Sequence, residues 1–482
     1  MASSSGRLGM PGGTAADGDR PDPGGNGRFI RLVPVLTGVT ALVCLLGWMQ
    51  KRPCASAGFD FIRTTTRACY TDIYPLYYVR GLNDGKVPYF DSFAGEDIHY
   101  VEYPVLSGGF MQLAAWLVRP FEQDARGMAF YNLTVVLLAV LAIAAVLATA
   151  YTAGRRSLRT GLMVALSPAL LLTAYINWDM LAVALSALAL AAWSKRLPLL
   201  AGVLLGLAIA AKFYPLLFLG PLVLLCVRAG QWRAMGRMLA GTAGAWLLVN
   251  GPVMLFAWEG WKEFYRFSQE RGVDWGSVFF YLREHGLDGV NDTSELNMLG
   301  TGTFLVLAAG IAVLALTAPR RPRLAQLMFL VLVAFMLPNK VWSPQYVLWL
   351  LPLAVLARPK LPAFVVWQVG EIVYFFGIWW FLLSVSSGYG GADLSETLSS
   401  LARLDVPDAG IQDGVYHLAL GARFCTVFLL AALVVVDILR PSGDPVRSDG
   451  VDDPSGGVLD GAGDVVSLRR FRGRRHTAVP VT

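Results

Sequence analysis

Charged residues are scarce in this sequence of 482 residues: Asp, Glu, Lys and Arg together make up 15% of it, whereas hydrophobic residues make up 55%. Soluble domains carry roughly 25% charged residues. This shortfall, together with a mean hydropathy of +0.53, argues against an ordinary soluble domain. It favours a chain whose main solvent is a lipid bilayer.

Common signatures of catalytic and metal sites are also missing. The sequence has no Gly-x-x-x-x-Gly-Lys-Ser/Thr phosphate loop, no His-Glu-x-x-His, no Cys-x-x-Cys and no Gly-x-Ser-x-Gly elbow. Its four histidines show no metal-ligand spacing: they are His99, His285, His417 and His476. The basic residues behind the net charge of +6 form short clusters between apolar runs rather than one basic face. We therefore expect no nucleic-acid partner, no metal and no other cofactor.

Long apolar runs dominate what is present. They are rich in Leu, Ala and Val and do not alternate with polar residues, and several reach the ~20 residues that a spanning helix needs. Because backbone polar groups must be satisfied within lipid, these runs predict helices. We predict an all-α polytopic membrane protein, a bundle of about 12–13 transmembrane helices. The predicted spans are 29–50, 127–152, 160–176, 178–194, 197–211, 213–228, 236–257, 298–317, 324–338, 345–357, 362–386 and 418–439.

Basic residues between these runs orient the chain by the positive-inside rule. The clusters lie at 155–159, 195–196, 228–237, 320–323, 358–360 and 469–475. They all fall on one side if the spans alternate from residue 160 onward, and that side should be the cytoplasm. In a plasma-membrane protein, the long loops would then be exterior: 51–103, 258–297 and 387–417.

Both ends of the chain are polar. Residues 1–28 are rich in Gly, Pro and Asp, and residues 441–482 are rich in Gly, Asp, Pro and Arg without apolar periodicity. These compositions predict a disordered cytoplasmic arm and a disordered basic cytoplasmic tail. The membrane domain between them is predicted at 29–440.

A short apolar run at 104–119 conflicts with a simple count of crossings. If the N-terminus and Arg155 both lie inside, an even number of crossings must precede Arg155. The spans 29–50 and 127–152 already make two. We therefore predict that 104–119 is a re-entrant or interfacial segment, unless one of the short spans near 160–194 is incomplete.

The loop 51–103 holds more chemistry than a linker needs. Its stretch RACYTDIYPLYYVRGLNDG carries a carboxylate, a row of tyrosines and a Gly/Asn/Asp break. The apolar and aromatic residues from 73 to 82 are spaced for a helix lying in the membrane interface, which puts Asp72 at its N-terminus. Asp72 is then either a helix cap beside an aromatic belt or a general base at the depth where a lipid-linked substrate presents its reactive head.

Other polar residues stand at the ends of apolar segments on the same side, in the stretches YINWDML, AAKFYPLL and LPNKVWSPQYVLWLLP. A lysine at the outer edge of an apolar segment is costly and tends to be functional, although snorkelling to the interface is the alternative. Lys212 and Lys340 are therefore candidates to hold a lipid phosphate as point charges. The candidate substrate-binding residues are Tyr77, Tyr78, Arg80, Glu102, Tyr103, Asn177, Asp179, Lys212, Lys340, Gln345 and Tyr346.

Five cysteines are present. Three lie inside apolar runs, where a buried and inert thiol is the expectation: Cys44, Cys226 and Cys425. Cys54 and Cys69 lie in the loop after the first span. They can form a disulfide if that loop faces an oxidising exterior, but two cysteines that are close in sequence need not meet in space.

The order of these motifs resembles that of the membrane-embedded GT-C glycosyltransferases. More closely it is similar to glycosyltransferase family 87, the polyprenyl-phosphate-mannose-dependent mannosyltransferases of actinobacteria. The matching stretches are YTDIYPLYYVRGLNDGKVPY, EYP, NWD, AAKFYPLL and WSPQYVLWLLP. The resemblance as a whole extends over residues 30–440 and leaves out both tails. Family members often have a histidine-rich late motif where this chain reads WSPQYVLW. The role of that histidine would either fall to Gln345, Tyr346 or Lys340, or be absent.

The resemblance implies a chemistry. It implies an inverting glycosyl transfer at the outer face. The donor would be a polyprenyl-phosphate-linked sugar, with mannose as the first choice, and the acceptor a lipid or a glycan. Membrane lipids would be further partners. Asp72 matches the aspartate that deprotonates the acceptor hydroxyl. Lys212 and Lys340 are then the candidates to offset the charge that builds on the leaving phosphate.

Two other functions stay open on the sequence. A transporter or flippase of lipid-linked or small substrates would tend to show inverted repeats and broken helices near the midplane, and no convincing internal repeat is visible. A scaffold or envelope-assembly protein would not require Asp72. The crowding of charged residues at one side, beneath a large aromatic loop, favours surface chemistry over transport.

Overall fold

The computed structural model describes residues 23–94, 98–287, 290, 292–387, 391–402 and 410–466. The structure is 75% helical, and the described residues contain no strand, which confirms the all-α polytopic class. The helices are α1 (Pro23–Ala55), α2 (Phe61–Thr66), α3 (Ile73–Val79), α4 (Val105–Leu117), α5 (Gln123–Thr152), α6 (Ser157–Ala165), α7 (Pro168–Thr173), α8 (Asp179–Ser194), α9 (Pro198–Ala211), α10 (Leu219–Ala229), α11 (Trp232–Phe256), α12 (Trp258–Glu270), α13 (Val278–Glu284), α14 (Thr293–Thr317), α15 (Leu324–Met336), α16 (Val347–Ala357), α17 (Leu361–Ser387), α18 (Leu394–Ala402) and α19 (Asp413–Leu439).

The apolar helices fall into two length classes. Within the described chain, 6 helices are long and apolar enough to cross a membrane: α1, α5, α11, α14, α17 and α19. The shorter apolar helices, of 10–17 residues, include α4, α8, α9, α15 and α16. Almost every residue of α15 and α16 is buried, whereas only Leu296 and Ala315 are buried in α14. Short helices that are buried among other helices need not match the thickness of the lipid, because only helices in contact with lipid must do so.

The run 104–119 and the predicted span 160–176 differ from full crossings. Helix α4 has 13 residues, about 20 Å at 1.5 Å per residue, which is shorter than the bilayer core. The predicted span 160–176 is divided into α6 and α7 at Pro168. Proline has no N–H to continue the helix. Beside this break, the Ser167 hydroxyl donates a hydrogen bond to Gln368 Oε1 at 2.6 Å.

Helices α9 and α11 approach each other closely through small residues. A Cβ at Gly206 of α9 would meet the Thr242 carbonyl oxygen of α11, and a Cβ at Gly241 of α11 would meet the Leu199 carbonyl oxygen of α9. In lipid, where apolar burial between helices gains little, such close backbone contact drives association. This pair places Lys212, directly after α9, at one fixed end of the bundle.

Residues 441–466, which we name the C-terminal latch, contradict the predicted disordered tail. Asp444 is fully buried and forms an ion pair with Arg323 at 2.9 Å. Asp453 Oδ2 accepts from the Leu324 N–H at 2.9 Å. The prediction failed because acidic residues of the latch are paired with buried groups at helix ends. Amino-acid composition does not reveal such pairing. Residues 467–482 of that tail, and residues 1–22 of the predicted arm, lie outside the described residues, and α1 already begins at Pro23.

The latch gathers arginines of several predicted basic clusters at one end of the bundle. Arg228 pairs with Asp464 at 2.6 Å, Arg321 with Asp464 at 3.1 Å, and Arg156 with Asp449. Helix α8 shows the direction of the bundle: its last turn meets the latch where the Trp193 indole donates to the Gly456 carbonyl at 2.9 Å. Its first residue, Asp179, lies at the opposite end.

Candidate functional site

A cleft of about 680 Å³ opens at the end of the bundle opposite the latch. Its walls come from the segment that contains α3, from α12 and the loop that follows it, from the turn before α16, and from α17. Eight of the predicted site residues line it: Asp72, Arg80, Glu102, Tyr103, Asn177, Lys212, Gln345 and Tyr346. Segments far apart in sequence therefore converge at this cleft.

Asp72 occupies the N-cap position of α3, but its side chain makes no capping hydrogen bond. It accepts a hydrogen bond of 2.6 Å from the Tyr70 hydroxyl, and its own N–H donates to the Ile176 carbonyl at 2.7 Å. The carboxylate lines the cleft instead of serving the helix. Burial raises the pKa of Asp72 to about 6, against the opposing effects of the Tyr70 hydroxyl and the Lys212 ammonium.

The helical period decides which residues of α3 reach the cleft. Asp72, Leu76 and Arg80 line it and are spaced by four, so they share one face of the helix. Tyr77 and Tyr78 point elsewhere. Tyr77 is 2% exposed and stacks on Phe130 of α5 with ring centroids 4.6 Å apart, and Tyr78 is 41% exposed outside the cleft.

Lys212 and Asp179 form an ion pair of 2.8 Å at the base of the cleft. Asp179 is buried and also accepts from the Trp349 indole at 2.8 Å, while the Asn177 side-chain oxygen accepts from the Asp179 N–H at 2.9 Å. Burial acts to lower the pKa of Lys212, but the nearby Asp179, Tyr346 and Asp72 together outweigh it, so the pKa lies above its ordinary value. Lys212 therefore presents a permanent cation to the cleft.

Aromatic rings surround that cation. The Lys212 ammonium lies 5.2 Å from the ring centroid of Tyr103 and 5.9 Å from that of Tyr346, within the range of a cation–π contact. Tyr346 stacks on Trp349 with centroids 3.7 Å apart. Gln345 is 6% exposed beside them, and none of the described residues donates to its side-chain oxygen. This wall offers apolar faces together with one amide acceptor.

Glu102 and Arg80 neutralise each other on another wall. Two hydrogen bonds, Arg80 Nε to Glu102 Oε2 at 2.8 Å and Arg80 Nη2 to Glu102 Oε1 at 2.6 Å, form a bidentate pair. Arg80 also lies 5.1 Å from the Phe93 ring centroid. A carboxylate held in this way is committed to its arginine, so Asp72 is the less encumbered carboxylate of the two.

Lys340 does not line the cleft. Its amino group donates to the Gln269 carbonyl at 2.9 Å, and its own carbonyl accepts from the Asp274 N–H at 2.8 Å. Burial and the nearby Arg271 guanidinium lower the pKa of Lys340 to about 8. Its contacts tie two loops together behind the wall.

Several cleft residues are missing from the sequence-based set: Tyr70, Arg271, Asp274 and Trp379. Tyr70 stacks on Trp379 with centroids 4.7 Å apart, next to the carboxylate of Asp72. Arg271 is 38% exposed in the cleft and lies 3.6 Å from Asp274. Arg271 and Asp274 could have been found from the stretch RGVD. It places a cation and a carboxylate directly after an amphipathic segment, in a loop predicted to be exterior.

Cys54 and Cys69 form a disulfide in the structure, with Cα atoms 6.2 Å apart. It joins the end of α1 to the segment that carries Tyr70 and Asp72, so the chain that enters the cleft is anchored at its start. Within the described residues, no group of three or more His, Cys, Asp or Glu side chains is placed to hold a metal ion.

Comparison with known proteins bears on this arrangement. Residues 103–338 match the model of glycosyltransferase family 87, a region that includes Lys212 and Arg271 but begins after Asp72. No curated protein matches the sequence. Among solved structures, the apo oligosaccharyltransferase of Archaeoglobus fulgidus is similar at 13% identity with a TM-score of 0.35, covering 91% of this chain and 53% of that one; this chain thus spans about half of that chain's length. The family match confirms the resemblance to glycosyltransferase family 87 that the motifs predict, and it supports a membrane glycosyltransferase.

Proposed function

We propose that this protein is an inverting glycosyltransferase that takes a sugar from a polyprenyl-phosphate carrier, with Asp72 as the general base. The observation that carries the proposal concerns the Asp72 carboxylate. It lies at a helix N-terminus without capping the helix, and it faces a cleft that also holds three cations, Arg80, Lys212 and Arg271. A pKa of about 6 leaves the group mostly ionised at neutral pH, yet basic enough to take a proton in the transition state.

In the proposed reaction, Asp72 accepts the proton of an acceptor hydroxyl as its oxygen attacks the anomeric carbon. The bond from that carbon to the phosphate oxygen breaks on the opposite face, and the electron pair leaves with the polyprenyl phosphate. Configuration at the anomeric carbon is thereby inverted. Charge increases on the phosphate, so cations fixed beside it lower the barrier.

Lys212 and Arg271 are the proposed phosphate-binding cations. Lys212 is held by Asp179 at 2.8 Å, and Arg271 keeps its guanidinium partly free in the cleft. Arg271 takes the place of Lys340 in this role, because the Lys340 amino group is engaged with a carbonyl outside the cleft. Tyr103, Tyr346 and Trp379 offer ring faces on which sugars can stack.

We further propose that the reaction takes place at the exterior face of the plasma membrane, with mannose as the first sugar to test and a lipid or glycan as acceptor. Supporting this, the cleft lies opposite the end at which Arg156, Arg228 and Arg321 meet the latch, and basic residues favour the cytoplasmic side. The rim of the cleft includes Phe61 and Leu382, which suit a carrier tail that remains in the bilayer.

The test is transfer of radiolabelled mannose from polyprenyl-phosphate-mannose in membranes that contain the wild type, Asp72→Asn or Asp60→Asn. Asp60 is the matched control, because it lies in the same loop but does cap a helix, accepting from the Arg63 N–H at 2.9 Å. We expect Asp72→Asn to lose about 10²- to 10⁴-fold in rate, as removal of a general base does, and Asp60→Asn to transfer label normally.

Equal transfer by the wild type and Asp72→Asn would remove Asp72 as the base and direct attention to Glu102 or Asp179. If the wild type itself transfers no label, the donor is wrong or the protein moves substrates instead of joining them. In that case, uptake or flipping of a labelled polyprenyl-phosphate sugar in vesicles becomes the next measurement.

A further inference from the structure

A buried ion pair joins α17 and α19 behind the cleft. Glu371 and Arg423 are 4% and 0% exposed, and Arg423 Nε lies 3.1 Å from Glu371 Oε2. Both residues lie within helices long enough to cross a membrane. Ionisable side chains are expensive there and mark function by default, and neither residue belongs to the motifs or to the lining of the cleft.

Arg423 uses its remaining donors on the turn before α16. Its Nη1 donates to the Trp342 carbonyl at 2.7 Å, and its Nη2 donates to the Ser343 carbonyl at 3.0 Å. The guanidinium is also sandwiched between rings, 4.3 Å from the Trp342 centroid and 4.1 Å from that of Tyr374. The guanidinium thus forms an ion pair, donates to two neighbouring carbonyls and stacks on aromatic rings. Together these contacts fix the position of the backbone at residues 342 and 343.

The turn that Arg423 holds forms one wall of the cleft. Ser343, Gln345 and Tyr346 all line the cleft, directly after the carbonyls that Arg423 binds. The Ser343 hydroxyl in turn donates to Asp274 Oδ2 at 3.2 Å, and Asp274 lies 3.6 Å from Arg271. A continuous set of contacts therefore runs from the buried pair to the exposed cation of the cleft.

We propose that Arg423, oriented by Glu371, is a positioning residue that sets the 343–346 wall and, through Asp274, the guanidinium of Arg271. Its effect on transfer rests on the proposed function, whereas its effect on the wall does not. Arg423 does not itself line the cleft, and it takes no part in the bond changes. It holds the carbonyls from which the wall is built.

The competing explanation is that the pair only fastens α17 to α19. These helices already have close small-residue contacts, since a Cβ at Gly370 would clash with Thr426 and a Cβ at Gly377 would clash with Ala419. The chain also offers a matched control, the ion pair between Arg358 and Asp437 of α19. It is similarly buried, with 10% and 6% exposure, but it lies at the latch end and outside the cleft lining.

The experiment measures the wall directly by thiol labelling. Gln345→Cys serves as the probe, because Gln345 is 6% exposed in the native wall. Cys425→Ser removes the exposed free cysteine, while Cys44 and Cys226 are buried. The labelling rate with a water-soluble maleimide is compared in this background alone and with Arg423→Lys, Arg423→Gln or Arg358→Gln added. Donor kcat/KM is measured in parallel for the three variants without the probe.

We expect Arg423→Gln and Arg423→Lys to raise the labelling rate about tenfold or more, since the wall opens locally, while Arg358→Gln stays within about twofold because it is distant. Lysine retains the charge but cannot reproduce the fork, so Arg423→Lys tests the inference even if Arg423→Gln does not fold. Donor kcat/KM should fall about tenfold in Arg423→Lys, mainly through KM, because Arg271 is displaced.

Unchanged labelling in Arg423→Lys, or an equal rise in Arg358→Gln, would overturn the positioning role. A wild type that transfers no sugar would instead overturn the proposed function, and the labelling rates would still decide the role of Arg423. The two ideas therefore fail separately.

Discussion

The two ends of the bundle use the same residue types in opposite ways. At the latch end, the central ion pair is closed off from solvent: Arg323 is 1% exposed and Asp444 is 0% exposed. The Arg323 guanidinium also donates to the Leu356 and Ala357 carbonyls at 2.8 and 2.6 Å. Each of the three guanidinium nitrogens of Arg323 therefore donates to a partner, as a buried charge requires.

At the cleft end, Arg80 and Glu102 also form a closed pair, but two other charged groups, Asp72 and Arg271, are left partly open. Asp72 is held by a tyrosine hydroxyl rather than by a cation, and Arg271 remains 38% exposed. Such incomplete pairing leaves a carboxylate able to accept a proton and a cation able to bind an anion. In this protein the degree of pairing, and not the presence of charge, distinguishes the Arg323–Asp444 pair from the groups that we propose to react.

The largest expected effect is a loss of stability when the closed ion pair of Arg323 and Asp444 is broken. Asp444→Asn leaves Arg323 buried without its carboxylate, and we expect about 3–5 kcal/mol of lost stability. Transfer per folded molecule should stay close to wild type, since the latch is remote from the cleft. Thermal unfolding in detergent, with transfer assayed below the transition, separates the two readouts. Asp449→Asn is the control within the latch, because Asp449 is 53% exposed and should cost less than about 1 kcal/mol.

A smaller effect, of the opposite kind, should follow from removing an open charge. Arg271→Gln should lower donor kcat/KM by about 10- to 100-fold, because a cation beside the leaving phosphate is lost. Its melting temperature should barely change, since the side chain is partly exposed. Arg283→Gln is the matched control, with 36% exposure in the neighbouring α13 and no place in the cleft lining. Loss of activity in both variants alike would point to general surface charge rather than to the phosphate.

The mildest manipulation is pH. Asp72 must be ionised to act as a base, and its pKa is raised from 3.8 to about 6. Donor kcat/KM should therefore fall as pH drops through about 6, approaching a tenfold loss per pH unit below it. A limb near pH 4 would indicate a carboxylate with an ordinary pKa as the base.

The same shift has a consequence for stability with the opposite sign. A carboxyl whose pKa is raised on folding favours the protonated folded state, so the ionised group weakens the fold as pH rises from about 4 through 6. Asp72→Asn should accordingly be at least as stable as wild type above pH 6. An inactive variant that is also unstable would mean that Asp72 supports the fold rather than the reaction.

Particular residues show how far the sequence could predict the site. The position of Asp72 after the first span made it a candidate, and the motifs around Asn177, Lys212 and Gln345 identified segments that do meet at the cleft. Tyr77 and Tyr78 are among the candidate substrate-binding residues predicted from the sequence. The period of α3 turns both side chains away from the cleft, whereas Leu76 and Arg80 face it. That error could have been avoided from the helical spacing alone.

Other features had no signal in the sequence. Nothing in composition distinguished the latch from a disordered tail, because its order depends on arginines more than a hundred residues away. In the same way, Lys340 and Arg271 are both cations in loops at the ends of helical segments. Only their neighbours show that one is engaged with a carbonyl while the other faces the cleft.

The sequence by itself determined the solvent, the helical class and the order of the motifs, because bilayer burial acts on each apolar run separately and composition records it. The tertiary structure alone decided which charges are closed into pairs, which face each short helix turns to the cleft, and which buried residues hold the walls. Those outcomes depend on distances between segments remote in the chain, and the free energy of a charge is set by the neighbours it meets after folding.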